Sequence, residues 1–188
     1  MGWYTIKNQV STELYAPMYV YSQINGGQDA GSSPVDALKL ALNQGVDTES
    51  HYSQGDYNWW DLPTSEEHTN AALNKPIFHR YTTIFANSNG RGGDALVSAL
   101  KSAISNYQPV AILFPVRPGF QQLAPGNSVD NDTTGTISGY HEVLALGYDS
   151  DGLVIQNHWG TEWGAQGFAT LSWNVVKNDI SEAETVSE

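Results

Sequence analysis

The sequence predicts an α+β fold, with a helical part followed by a sheet part. Helix signals fall early, in a capped run near residue 34 and an apolar stripe near residue 96. Strand signals fall late, from residue 109 onward, where short apolar runs are punctuated by Gly, Asp and Asn. At 188 residues the chain suffices for one sizeable domain or two small lobes sharing a cleft.

Residues 1–22 are mildly apolar, with Tyr15, Met18, Tyr19, Val20 and Tyr21 ahead of a turn-rich stretch from Asn25 to Ser33. A helix follows. Ser33 can cap it, Pro34 suits its first position, Asp36 favours the positive end of the dipole, and Gly45 stops it. Val35, Leu38 and Leu42 recur on one face. Residues 46–78 lack periodicity and read as a long ordered loop, with Glu66 and Glu67 as a solvated helix start. Tyr81 to Phe85 is a short strand. Gly92 to Tyr107 reads as a helix with Leu96, Leu100, Ala103, Ile104 and Tyr107 on one stripe. Pro109 to Val116 is a buried strand, and Arg117 to Ser138 a loop. His141 to Tyr148 and Leu153 to Trp159 flank the hairpin turn Asp149-Ser150-Asp151-Gly152, and Gly167 to Trp173 is a further strand. The acidic run 179–188 reads as a disordered tail behind a domain over 1–178.

Composition removes several function classes. Hydrophobic residues make up 40% and charged residues 15%, a globular balance. Net charge is −12, with eight Lys and Arg against twenty Asp and Glu, which argues against nucleic acid and anionic membranes as partners. No apolar run reaches the ~18 residues of a membrane span, and none after Met1 resembles a signal peptide. There are no cysteines, so a disulfide framework, a zinc–thiolate site and a redox pair are excluded. That suits a reducing cytoplasm slightly better than export, but leaves the compartment unknown. His51, His68 and His79 lack a compact metal-ligand spacing, so neither a metal nor another cofactor is expected. No Ser stands in Gly-x-Ser-x-Gly form, and Asn131-Asp132-Thr133 is a glycosylation sequon in form only.

The informative stretch runs from Gly139 to Trp173. It reads Gly-Tyr-His-Glu-Val-Leu-Ala-Leu-Gly-Tyr-Asp, then Leu-Val-Ile-Gln-Asn-His-Trp-Gly-Thr-Glu-Trp-Gly, then Gly-Phe-Ala-Thr-Leu-Ser-Trp. It closely resembles the papain-like cysteine peptidases. In that family a His opens a strand ending in Gly-Tyr, and the returning strand ends in Asn-Ser-Trp-Gly-x-x-Trp-Gly. Leu14 to Tyr21, the Gly31-Ser32-Ser33 turn with Asp36-Ala37-Leu38, and Val46, Glu49 and Tyr52 agree more weakly with earlier family segments. The resemblance implies the two-lobed papain-like fold and a peptide or protein substrate. It makes His141 the catalytic base and Asn157 its orienter, with Trp159 shielding their bond and Trp163 supporting it. Gly31, Ser32 and Tyr140 become substrate-binding positions.

Hairpin parity bears on this pairing. In an unbulged hairpin, His141 and Asn157 share a face only if the loop has an odd residue count. Pairing Tyr148 with Gly152 around a 149–151 loop sets Asn157 opposite Val143. A four-residue loop without a bulge would put the two on opposite faces.

The departures are as specific as the match. The family's Gln-x-x-x-Cys-x-x-Cys-Trp-like segment, which supplies the nucleophile and part of the oxyanion hole, has no counterpart here. His158 stands where Ser often follows the Asn, and Glu142 where Ala often follows the His. The chain as given is therefore expected to be inactive. By spacing, Trp3 to Val10 would hold only the last turns of the family's central helix, and an upstream segment or partner chain would complete the fold. The alternatives are a non-catalytic domain that binds peptide or protein, and a carbohydrate-binding module using Tyr57, Trp59 and Trp60.

Overall fold

The computed structural model describes residues 13–76 and 78–187. The expected helix remnant at Trp3–Val10 and the final Glu188 lie outside them. The described residues divide into two compact units, one running up to residue 81 and including 187, the other residues 82–186.

The first unit is helical. Helix α1 (Pro17–Ile24) starts on Pro17, whose missing N–H costs nothing at a first helical position. Helix α2 (Pro34–Gln44) follows the expected signals. Ser33 accepts from the Asp36 N–H, and Gly45 ends the helix at a φ of 85°. A Cβ on Gly45 would lie 1.9 Å from the Ala71 carbonyl oxygen, so the close approach also requires glycine. The buried face differs from the expected one. Leu40 and Ala41 are buried, whereas Val35, Leu38 and Leu42 are half-buried. Tyr19, Val46, Tyr52 and Ala71 complete this core.

The reading of 46–78 as loop fails at α3 (Ser65–Leu73). Its signal was a capping box rather than an apolar stripe. Thr64 accepts from the Glu67 N–H at 3.3 Å, and Glu67 accepts from the Thr64 N–H at 2.8 Å. Glu67 is thus buried rather than solvated. Its carboxylate also takes the Ser53 N–H and hydroxyl and the Gln54 amide. Burial alone would raise its pKa, but these donors outweigh burial and pull it to about 2.

The second unit is built on a seven-strand sheet ordered β1-β7-β2-β4-β5-β6-β3. In chain order the elements are β1 (Arg80–Ala86), α4 (Gly93–Ser105), β2 (Val110–Val116), the single turn α5 (Pro118–Gln121) and β3 (Val129–Asp130). Then come β4 (Gly139–Tyr148), β5 (Gly152–Gln156), β6 (Phe168–Ser172), α6 (Trp173–Asp179) and β7 (Glu182–Ser187). Leu96, Leu100 and Ala103 of α4 pack with Ile112, Phe114, Val143, Ile155 and Leu171 in one core. Tyr107 leaves the expected stripe. It follows the helix end at a φ of 58° and is largely exposed.

Two endings depart from expectation. Trp173 opens α6 rather than closing a strand, because Ser172 caps the turn by accepting from the Val175 N–H. The segment 179–187 is not a frayed tail. Asp179 is buried and ion-paired to Arg117, and β7 lies inside the sheet against β2. Charge density hid a strand in which Ala183, Glu184, Thr185 and Val186 are all buried, just after the buried Ile180.

β7 also brings acids together. Leu113 pairs with Glu142 on one side and Glu182 on the other, and Ala111 pairs with Leu144 and Glu184. Paired residues share a face, so Glu142, Glu182 and Glu184 lie on one side of the sheet. Glu184 is only 2% exposed, and its Oε2 has no hydrogen-bond partner among the described residues. Burial, with Glu182 adding to it, pushes the Glu142 carboxyl to about 7. Burial, then Glu182 and Glu142, does the same to Glu184.

Two pH effects of opposite sign follow. A folded pKa raised from 4.5 to about 7 gives stability that is complete below about pH 4.5 and falls as pH rises to 7. Thermal melts should therefore show Tm declining over that window, and Glu184→Gln should flatten the decline. An unchanged slope would place the titration elsewhere. Glu67, depressed to about 2, contributes stability above 4.5 that is lost towards pH 2. Glu67→Ala should cost about 2–4 kcal/mol at neutral pH, measured by urea unfolding, because it removes a buried carboxylate that accepts four hydrogen bonds.

Candidate active site

The parity expectation resolves through a bulge. Tyr148 pairs with Leu153 rather than Gly152, which makes a four-residue turn. Alone, that turn would place His141 and Asn157 on opposite faces. The register then shifts between Ala145 and Gly147, so that Leu144 pairs with Gln156 and Asn157 comes level with Val143, as expected. The turn itself is held by Asp149, whose carboxylate accepts the Asp151 and Gly152 N–H groups.

His141 Nε2 lies 2.8 Å from Asn157 Oδ1. The backbone N–H of His158 also reaches that oxygen, at 2.9 Å. A backbone N–H can only donate, so the acceptor end of the amide must face it. His141 therefore carries its proton on Nε2 when neutral, leaving Nδ1 free of that bond. Asn157 is buried, and its Nδ2 finds no partner among the described residues. Burial lowers the His141 pKa, the Asn157 hydrogen bond opposes this, and the charge of His158 lowers it further.

An aromatic collar surrounds the pair. The Trp159 ring lies 4.7 Å from the imidazole at 35° and is 41% exposed. Trp163 is buried behind it, 5.9 Å away. Phe120 touches both tryptophans and lies 6.1 Å from His141, and its carbonyl accepts from Trp163 Nε1 at 3.0 Å. Sequence reasoning passed over Phe120. The available signal was that it is the sole aromatic between residues 117 and 138, directly after Pro118-Gly119.

The loop carrying Phe120 is fixed by charge. Arg117 bonds Asp179 at 2.9 Å and the Gly135 carbonyl. Asp132 accepts the Gly119, Thr134 and Gly135 N–H groups. Those donors lower the Asp132 pKa.

Three expected positions remain, Tyr140, Gly31 and Ser32. Tyr140 is exposed and lines a cavity of about 210 Å³ with Arg117, Ile137 and Asn178. Gly31 and Ser32 belong to the first unit. Both are exposed, and the Gly31 N–H donates to the Tyr21 hydroxyl at 3.1 Å. Two other histidines are engaged structurally. His51 pairs with Asp47 and His68 with the Tyr19 hydroxyl. Among the described residues no group of three His, Cys, Asp or Glu side chains could hold a metal, and no helix is long and apolar enough to cross a membrane.

Comparisons with known proteins agree with one another. The family model described as papain family cysteine protease matches residues 20–187. Cysteine proteinase 5 of Dictyostelium discoideum is 25% identical over 177 residues, which cover 82% of this chain and 47% of that protein. Digestive cysteine proteinase 1 of Homarus americanus is 27% identical, covering 84% and 46%. Cathepsin B-like CP2 of Giardia intestinalis is 34% identical over 47% of this chain and 30% of its own length. The chain thus spans less than half the length of these relatives. Among solved structures, xylellain, a cysteine protease from Xylella fastidiosa, superposes with a TM-score of 0.79 at 19% identity, over 98% of this chain and 74% of that one. The Carica candamarcensis cysteine protease CMS1MS2, in complex with E-64, gives 0.70 at 19% identity, over 97% and 82%. The chain belongs to the papain family of cysteine proteases.

Proposed function

We propose that this chain is the base-bearing portion of a papain-type peptidase, with His141 as the base and Asn157 as its orienter. The observation that carries the reading is the 2.8 Å contact between them, beneath Trp159, in a chain of this family. In the reaction, His141 Nδ1 takes the proton of a thiol. The thiolate attacks the peptide carbonyl, and the resulting imidazolium returns a proton to the leaving amine. Asn157 Oδ1 holds the ring in the tautomer that leaves Nδ1 unprotonated. Phe120 and Trp163 position Trp159, which keeps water from that bond.

The thiol has no source within the 188 residues. The nucleophile must therefore come from a segment or partner chain outside them. A groove of about 440 Å³ lined by Glu142, Leu144, Gln156, Asn157 and His158 offers such a segment a surface to pack against beside the orienter. The unpartnered Nδ2 of Asn157 supports this reading, since it is a buried donor awaiting an acceptor.

A second reading is a non-catalytic domain that binds peptide or protein through the same surface, favoured by the missing cysteine. The carbohydrate reading keeps one observation in its favour, the exposure of Tyr57 and Trp60.

The purified 188-residue chain should show no turnover of a dipeptide fluorogenic substrate beyond buffer. Turnover abolished by a thiol-directed epoxide would reject inactivity. Adding a polypeptide with a papain-like Gln…Cys-Trp segment should produce epoxide-sensitive hydrolysis, and His141→Ala should then reduce it at least about a hundredfold. Peptide binding without hydrolysis under every such addition would select the second reading.

A further inference from the structure

His158 stands directly after Asn157, and its backbone N–H shares Asn157 Oδ1 with the His141 imidazole. That bond fixes its backbone beside the base. Its ring centroid lies 4.9 Å from that of His141, with the planes at 45°. The His158 ring is exposed and makes no hydrogen bond among the described residues. Two ionisable rings are therefore in contact at a site where the reaction needs one.

We propose that His158 is a positioning residue that acts through His141, a positive charge on its ring, in contact with the His141 ring, opposing the imidazolium form of the base. The physical cause is Coulomb repulsion. Two positive charges about 5 Å apart, one on a half-buried ring flanked by Phe120 and Trp159, oppose one another far more than they would in water.

The surroundings leave His158 in this role. Phe120, Asn157, Trp159 and Trp163 carry no charge. Tyr140 and Glu142 precede and follow His141 on β4, where alternation sends them to the opposite face. Glu142 lines the groove that His158 also lines, and its carboxyl stays protonated towards neutral pH. It therefore offers His158 little compensating negative charge. Among the described residues, the charge acting on His141 comes from His158. Protonating His158 discourages the imidazolium form of His141 and shifts its proton equilibrium towards acid. The inference needs only the contact between the rings, and so stands apart from the peptidase reading.

The test is an NMR titration of the imidazole resonances of the full chain between about pH 4 and 9, assigned with His141→Gln. In the parent protein the His141 ring should titrate in a broadened curve. In His158→Ser, His141 should follow a single-site curve with proton affinity raised roughly threefold or more. In His158→Lys, which keeps a cation beside the base across this range, His141 should follow a single-site curve without that rise. A His141 curve unchanged in shape and midpoint in His158→Ser would overturn the proposal. Equal shifts in His158→Ser and His158→Lys would also overturn it, by showing that the side chain acts through packing rather than charge. Far-UV circular dichroism of both variants confirms that folded protein is compared.

Discussion

The organising constraint is the alternation of side chains along the β4–β5 hairpin. Every second residue of β4 faces the core, so a slip of one position would carry His141 away from Asn157. A four-residue turn introduces such a slip, and the bulge between Ala145 and Gly147 cancels it before the strands reach the site. The 2.8 Å contact between His141 and Asn157 depends on both irregularities together. Neither the turn nor the bulge is a defect, because each would misdirect the pair without the other.

Around that pair, support is divided between aromatic packing and fixed charge. Phe120, Trp159 and Trp163 form a wall whose members touch within 6 Å. The wall keeps its shape because the loop beneath it is tied by Arg117, Asp179 and Asp132. Asp179 belongs to the segment that charge alone would assign to a loose tail. The acidic C-terminal run therefore helps to position an aromatic ring beside the imidazole.

Much of the fold and the pair at the site were legible in the sequence, and the limits have physical reasons. The α2 helix could be read because its cap, proline and glycine signals are local. His141 and Asn157 could be read because the stretch from Gly139 to Trp173 resembles the motifs of the papain family. The α3 helix was missed because a capping box, not an apolar stripe, announces it. The β7 strand was missed because its glutamates outweigh its apolar residues when charge is counted by density. The face of α2 was misjudged because burial depends on what packs against it, which no local pattern records. Phe120 was missed because its role is made by contacts with residues 21 to 43 positions away. The bulge left no mark in composition and could be argued only as an alternative to an odd loop.

The position of β7 has a consequence for how the molecule is made. It lies between β1 and β2, yet follows every other strand in sequence. During synthesis, β1 and β2 therefore emerge with the slot between them still empty. The edge of β2 that later receives Glu182 to Thr185 presents unpaired N–H and C=O groups while the nascent chain grows. The sheet closes only when residues beyond 180 have left the ribosome, so its completion is a late event however early α4 and β2 find each other. During that interval the chain carries an open strand edge capable of pairing with a neighbour.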